Sequence, residues 1–200
     1  MTYEIEKTTS WIISDLYRGG NPNKAVLSSL RNAATMESQR AQAVWPIMMA
    51  RLDARYLSRN GTPTSAETAV YAALRFYAIH QQGKEQSVYG SAGGEDPEGQ
   101  QLFEALGKMR RNEETRVALD RRVQPLLATT NAASVINGLS HLVSILKANN
   151  GTQKIDYAHL AQDLYGLQGS YERANRVRLI WGQQYFRENQ AGSKTKGEKN

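Results

Sequence analysis

TSAETAVYAALRFYAIHQQG, residues 64–83, is a helix whose start is written into it. Thr64 and Glu67 have the spacing of a capping box: the Thr64 hydroxyl accepts from the Glu67 amide while the Glu67 carboxylate reaches back to Thr64. This predicts a helix over about 65–82. Val70, Ala73, Leu74, Tyr77, Ala78 and Gln81 fall on one side of it, and Tyr71, Phe76 and Ile79 occupy the rest of the circumference. A helix that is apolar all round is buried all round. This one is therefore expected at the centre, with other helices surrounding it.

The same 3.6-residue periodicity recurs outward in both directions, and no alternating run reads as a strand. A first helix is expected over 9–18, with Trp11, Ile12 and Leu16 inward and Gly19-Gly20 ending it. A second starts at Pro22 and holds Val26, Leu27 and Leu30. A longer helical stretch is expected over about 38–59, kinked or restarted by Pro46 and closed by Gly61 and Pro63. Beyond the central helix, GKEQSVYGSAGGEDPEG (83–99) reads as a Gly-rich acidic loop, a lobe boundary or mobile segment. Further helices are expected over about 97–110, 113–128, 131–148, 156–168 and 171–189. Asn112, Asn131, Asp156 and Ser170 suit their N-caps, and Asn149-Asn150-Gly151 makes a stop. The expected fold is all-α, a compact bundle of about eight to nine helices. It forms a single domain over 1–189, with lobes of about 1–83 and 98–189 joined by the loop 83–98 and a flexible polar tail over 190–200.

Chemistry-bearing motifs are scarce. Without cysteine the chain has no disulfide, thiolate zinc site or cysteine nucleophile. His80, His141 and His159 show no metal-ligand spacing and read as core-edge residues. Asp156 and Asp163 share a helix face, but Asp156 is better used as a cap. GSAGGEDPEG lacks the Gly-Lys-Ser/Thr of a phosphate loop and is acidic, and no GxSxG elbow is present. We therefore expect no catalysis, no metal and no cofactor. The opening MTYEIEKTTSW does not read as a signal peptide, and no apolar run nears the ~20 residues that span a bilayer, so a soluble, cytoplasmic chain is expected.

Charge is more informative. The formal net charge is +6, and it is segregated along the chain. Residues 85–104 hold Glu85, Glu95, Asp96, Glu98 and Glu104 and no Lys or Arg, whereas residues 108–122 carry six cations against three carboxylates. RANRVRLIWGQQYF (173–186) mixes arginines with Val177, Ile180 and Trp181. On a helix, Arg176, Gln183 and Arg187 project within about 40° of one another, with Arg173 on the adjacent flank. Arg51, Arg55 and Arg59 repeat at i, i+4, i+8, where like charges repel unless an anion relieves them. Arg110-Arg111 and Arg121-Arg122 fall near helix ends. Trp45, Trp181 and Tyr77 are the expected core anchors. Such stripes suit phosphate contacts, which position a chain without reading sequence. The competing reading is a helical adaptor whose stripes meet acidic patches on neighbouring proteins and touch no nucleic acid.

Several segments, taken in order, resemble a known family. They are LSSLRNAA (27–34), AALRFYAIHQQGK (72–84), LDRRVQPLLATT (119–130), HLVSIL (141–146) and IDYAHLAQDLYGLQG followed by NRVRLIWGQQYF (155–186). Together they resemble the small subunit of the type I-E CRISPR surveillance complex Cascade, the CasB family, over about residues 25–187. The resemblance implies a non-enzymatic all-α subunit, present in two copies against the backbone and large subunits. It further implies contact with the guide RNA, the target DNA and the displaced strand of the R-loop. The family's basic positions fall on Arg31, Arg75, Arg121 and Arg122. Adding the charge stripes, the candidate nucleic-acid-binding set is Arg31, Arg75, Arg110, Arg111, Arg121, Arg122, Arg173, Arg176 and Arg187. Two departures stand out: Gln183 and Gln184 follow Trp-Gly where some members are basic, and 88–107 is more acidic than the family's turn.

Overall fold

Helix α4 (Ser65–Gln81) runs through the middle of the molecule, and 13 of its 17 residues are buried. In this computed structural model, which describes residues 3–187, the capping box forms as the sequence implies. The Glu67 amide donates to Thr64 Oγ1 at 3.1 Å and the Thr64 amide to Glu67 Oε2 at 2.7 Å. The Ser58 amide also donates to Glu67 Oε1, so this buried carboxylate is ringed by donors. The tail expected over 190–200 lies outside the described residues.

Among the described residues there are nine α-helices and no strand beyond isolated bridges. The fold is all-α. Around α4 lie α1 (Glu4–Leu16), α2 (Lys24–Asn32), the short α3 (Trp45–Met49), α7 (Ala132–Asn150) and α8 (Tyr157–Leu167). α5 (Leu102–Met109), α6 (Glu113–Ala128) and α9 (Tyr171–Phe186) form a second layer, joined to the first through α8–α9 and α6–α7 packing. One contiguous core contains buried side chains from both sides of the acidic loop. The four expected N-caps each accept a backbone amide: Asn112 from Glu114, Asn131 from Ser134, Asp156 from His159 and Ser170 from Arg173.

Five expectations need correction. Helix α1 begins at Glu4, not at residue 9, and its buried face is Ile5, Thr8, Thr9, Ile12, Ile13 and Leu16. That face turns Trp11 outward, 48% exposed, with the Lys7 ammonium over its ring. Trp45 is half-buried at the edge of the core, its indole N–H donating to the Met36 carbonyl. Residues 38–59 do not form one long helix. They break into a 3-10 turn at Gln39–Ala43, α3 with Pro46 in its first turn, and a 3-10 turn at Ala54–Tyr56. Asp53 takes the Arg55 amide, a local bond that competes with helix continuation. The Arg51/Arg55/Arg59 stripe therefore does not exist. Arg51 pairs with Asp15 at 2.6 Å and Arg55 pairs with Glu4, both on α1.

The acidic segment is tied down more than its glycines suggest. The Ile155 amide donates to the Val88 carbonyl at 2.9 Å, and the Asp156 amide to the Gln100 carbonyl at 3.0 Å. Within it, Gly99 and Gly90 cross so closely that a Cβ on Gly99 would lie 2.2 Å from the Gly90 carbonyl oxygen. The glycines permit this crossing; they do not loosen the segment.

His80 is buried and His159 half-buried, and their surroundings push their protonation in opposite directions. His80 donates Nε2–H to the Gly151 carbonyl and accepts the Tyr157 hydroxyl at Nδ1, and burial pushes it down to about 4. His159, at the edge of the core, lies 3.1 Å from Glu6 on α1 and 3.7 Å from Asp163 one turn along α8. The bond to Glu6 outweighs burial and raises His159 to about 9.

These shifts set the pH dependence of stability. Between pH 6.5 and about 4 only the unfolded chain protonates His80, so stability falls as pH drops through that window. The His159 contribution is complete below pH 6.5 and is lost as pH rises through about 9. Thermal melts across this range should peak between the two limbs. His159→Gln should flatten the alkaline limb and leave the acid one; an unchanged alkaline limb would show that His159 is not held charged.

Candidate nucleic-acid interface

A cationic groove of about 400 Å³ lies between α5 and α9. Lys108 and Arg111 line one side, Ile180, Gln183, Gln184 and Arg187 the other, with Glu104 as its one carboxylate. Its existence depends on how closely the two helices approach. A Cβ at Gly107 would lie 2.8 Å from the Gln184 carbonyl oxygen and 2.9 Å from that of Tyr185, so glycine lets α5 rest on the α9 backbone. Beneath the groove Phe103 stacks on Trp181 with centroids 4.7 Å apart and planes 20° from parallel. The Trp181 indole N–H donates to Asp163 at 2.7 Å. Burial raises the Asp163 carboxyl, while His159 and this indole bond pull it back down. The ionic cluster of α1 and α8 thus reaches the buried face of α9.

A second clamp closes the end of the groove. Arg110 Nε donates to Asp120 at 2.8 Å, the Tyr185 hydroxyl donates to the same oxygen at 2.7 Å, and the guanidinium lies over the Tyr185 and Phe186 rings. Burial works against the Asp120 charge, but the bonds from Arg110 and Tyr185 together hold its carboxyl below the usual range. Burial, and then Asp120, push the Tyr185 phenol well up. Arg110 therefore positions three helices, while its neighbour Arg111 and Asp120's neighbours Arg121 and Arg122 are exposed around it.

The other candidates divide by location. Arg121 and Arg176 are exposed and make no hydrogen bond or ion pair among the described residues; Arg122 folds back onto the Ala118 carbonyl. Arg178, which belongs to the same basic segment, is used structurally, donating to the Thr129 carbonyl at the end of α6. Arg173 lies over the Tyr165 ring in a separate recess with Arg55 and Tyr56. Arg31 donates to the Ala78 carbonyl and lines another groove with Lys24 and Lys84. Arg75 is half-buried in an apolar cavity that shares no lining residue with the α5–α9 groove. Sequence reading missed Gly107, Asp120, Lys84 and Lys147. Of these, Lys147 has its ammonium pushed down by burial and then by Arg31 and Lys84 nearby, a crowding of cations from three distant segments. Gln184 is bonded to Gln101, leaving Gln183 as the exposed amide in the groove. Among the described residues, no group of three or more His, Asp or Glu side chains could hold a metal ion, and no helix is long and apolar enough to cross a membrane.

These features define a rigid all-α scaffold with exposed cations held on packed helices. Its sequence matches the family model described as CRISPR-associated protein Cse2 over residues 26–186, and the chain belongs to that family. Among solved structures it is similar to CasB from Thermobifida fusca, with a TM-score of 0.66 and 23% identity over 94% of this chain and 99% of that one. No curated protein matches it. Family membership makes it a subunit of the CRISPR Cascade complex.

Two substitutions test how the groove is built. Gly107→Ala gains about 1 kcal/mol of helix propensity but meets backbone on α9. It should be net destabilising by about 1–2 kcal/mol in urea melts, as overpacking against a fixed backbone requires; a stabilised variant would show that the approach is loose. Asp120→Ala leaves a partly buried guanidinium and a phenol without their acceptor, and should lower stability by about 3 kcal/mol. A loss under about 0.5 kcal/mol would mean that the clamp contributes no more than an exposed pair.

Proposed function

We propose that this chain is the non-catalytic small subunit of a type I-E CRISPR surveillance complex, acting in antiviral defence in the cytoplasm. It contacts the phosphate backbones of guide RNA, target DNA and the displaced strand of the R-loop. Cascade backbone and large subunits and a second copy of the chain are its protein neighbours. The observation that carries this reading is the α5–α9 groove with its flanking arginines. Lys108, Arg111 and Arg187 line one groove that holds a single carboxylate, Glu104, and Arg121 and Arg176 have no hydrogen-bond or ion-pair partner among the described residues. Cations left unpaired on rigid helices are available to phosphates, and shape-matched backbone contacts are sufficient where guide pairing reads the sequence. Because R-loop formation is a nearly balanced exchange of duplexes, a few such contacts can tip it. Arg110 belongs to the frame of this surface.

One observation favours a second reading, a protein adaptor. Leu179 is 64% exposed on α9, beside Ile180 and Phe186, which are also exposed. An apolar rim of this kind suits a protein neighbour.

Fluorescence anisotropy with single-stranded and duplex DNA of unrelated sequence, across a salt series, separates the two. If about five phosphates are neutralised, log K should fall against log salt with a slope of roughly −3.5 to −4.5. Arg111→Glu/Arg187→Glu and Arg121→Glu/Arg122→Glu should each weaken binding strongly. Binding that neither pair affects, or none at low salt for the free chain and the assembled complex alike, would leave the adaptor.

A further inference from the structure

Arg75 occupies a setting unlike that of the other candidate arginines. It projects from α4 into a cavity of about 390 Å³ walled by Met36, Tyr71, Ala72 and Ile136. Its Nε is buried without a hydrogen-bond partner, and the side chain makes no ion pair among the described residues. The Tyr71 hydroxyl beside it is already committed to the Ala33 carbonyl at 2.9 Å. Glu37, on the rim, is exposed and forms no ion pair. Ala132 and Ala133, in the first turn of α7, form another wall, so that helix's partial positive charge has the same sign as the guanidinium.

A guanidinium cannot lose its charge at accessible pH, and a cation partly withdrawn from water, with its Nε buried and no counterion paired to it, carries an unmet cost. A carboxylate entering from outside would relieve that cost through charge-assisted bonds to Arg75. The apolar walls ask for something further, an aliphatic or aromatic side chain next to that carboxylate. A phosphodiester backbone suits the place poorly: it needs several cations in water, and here it would meet one arginine, apolar walls and Glu37. The volume lies within the range of pockets that enclose small ligands or a few side chains.

We propose that this cavity is a docking site for a protein segment carrying an apolar side chain next to a carboxylate, with Arg75 as its ion-pair anchor. The assignment takes Arg75 out of the phosphate-contacting set and makes it a protein-recognition residue. It does not depend on the α5–α9 groove, and either can fail alone.

The test is amide NMR of the isotope-labelled full chain titrated with acetyl-Phe-Glu-amide, with acetyl-Phe-Gln-amide and oligothymidine as comparisons. The glutamyl peptide should produce saturable shifts at Tyr71, Ala72, Ala133 and Ile136. Affinity should fall about fivefold or more for the glutaminyl peptide and for Arg75→Met, whose unbranched side chain keeps the wall in place. Three results would overturn the proposal: no saturable shift at millimolar peptide, equal binding of the two peptides, or shifts at these residues from oligothymidine in place of the peptide.

Discussion

Everything in this fold follows from the need to cover α4 on all sides. A helix with Val70, Leu74, Phe76 and Tyr77 spread around its circumference has no face for water. It is stable only inside a ring of other helices. α1, α2, α7 and α8 supply that ring, each through an apolar stripe of its own. Two polar side chains caught in the interior are well partnered: the Glu67 carboxylate accepts the Ser58 and Thr64 amides, and His80 bonds Tyr157 and Gly151. Burial of this kind fixes the ring rigidly, and α8 transmits that rigidity to α9.

That transmission turns separate arginines into a surface. α9 is held from below by the Phe103–Trp181 stack and the Asp163 bond, and from its end by Arg110, Asp120 and Tyr185. The groove cations then project from backbone that cannot easily shift. Elsewhere the same residue type plays the opposite part. Arg51 and Arg55 meet Asp15 and Glu4 and become struts between α1 and the irregular segment that follows α3. Arg178 caps a helix end. An arginine count therefore overstates the binding surface, because a guanidinium serves either the fold or a partner according to what lies within reach.

The parts legible in the sequence were those governed by short-range rules. The capping box at Thr64 and Glu67 set the start of α4, and four Asn, Asp and Ser caps marked α6 to α9 because each acts within three residues. The candidate surface was legible in part: Arg111, Arg121, Arg122, Arg176 and Arg187 are exposed as the stripes implied. The failures have a common cause. Residues 38–59 have helical periodicity, but Pro46 and the Asp53 turn compete with it, and ion pairs to α1, some 36 to 51 residues away, stabilise the broken form. The acidic segment looked loose because its glycines were visible and its bonds to residues 154–156 were not.

The sequence by itself determined the all-α class, the central helix, most helix starts in the second half and the family, since local hydrogen bonding, periodicity and ordered motifs are properties of neighbouring residues. Only the tertiary structure decided which cations remain free. It paired Arg110 with Asp120, placed Gly107 against the α9 backbone and enclosed Arg75 in an apolar cavity. It also brought Glu6 to His159 across 153 residues. Charge is carried by the residue, but its partner is chosen by packing, and packing joins segments whose separation along the chain carries no signal of their meeting.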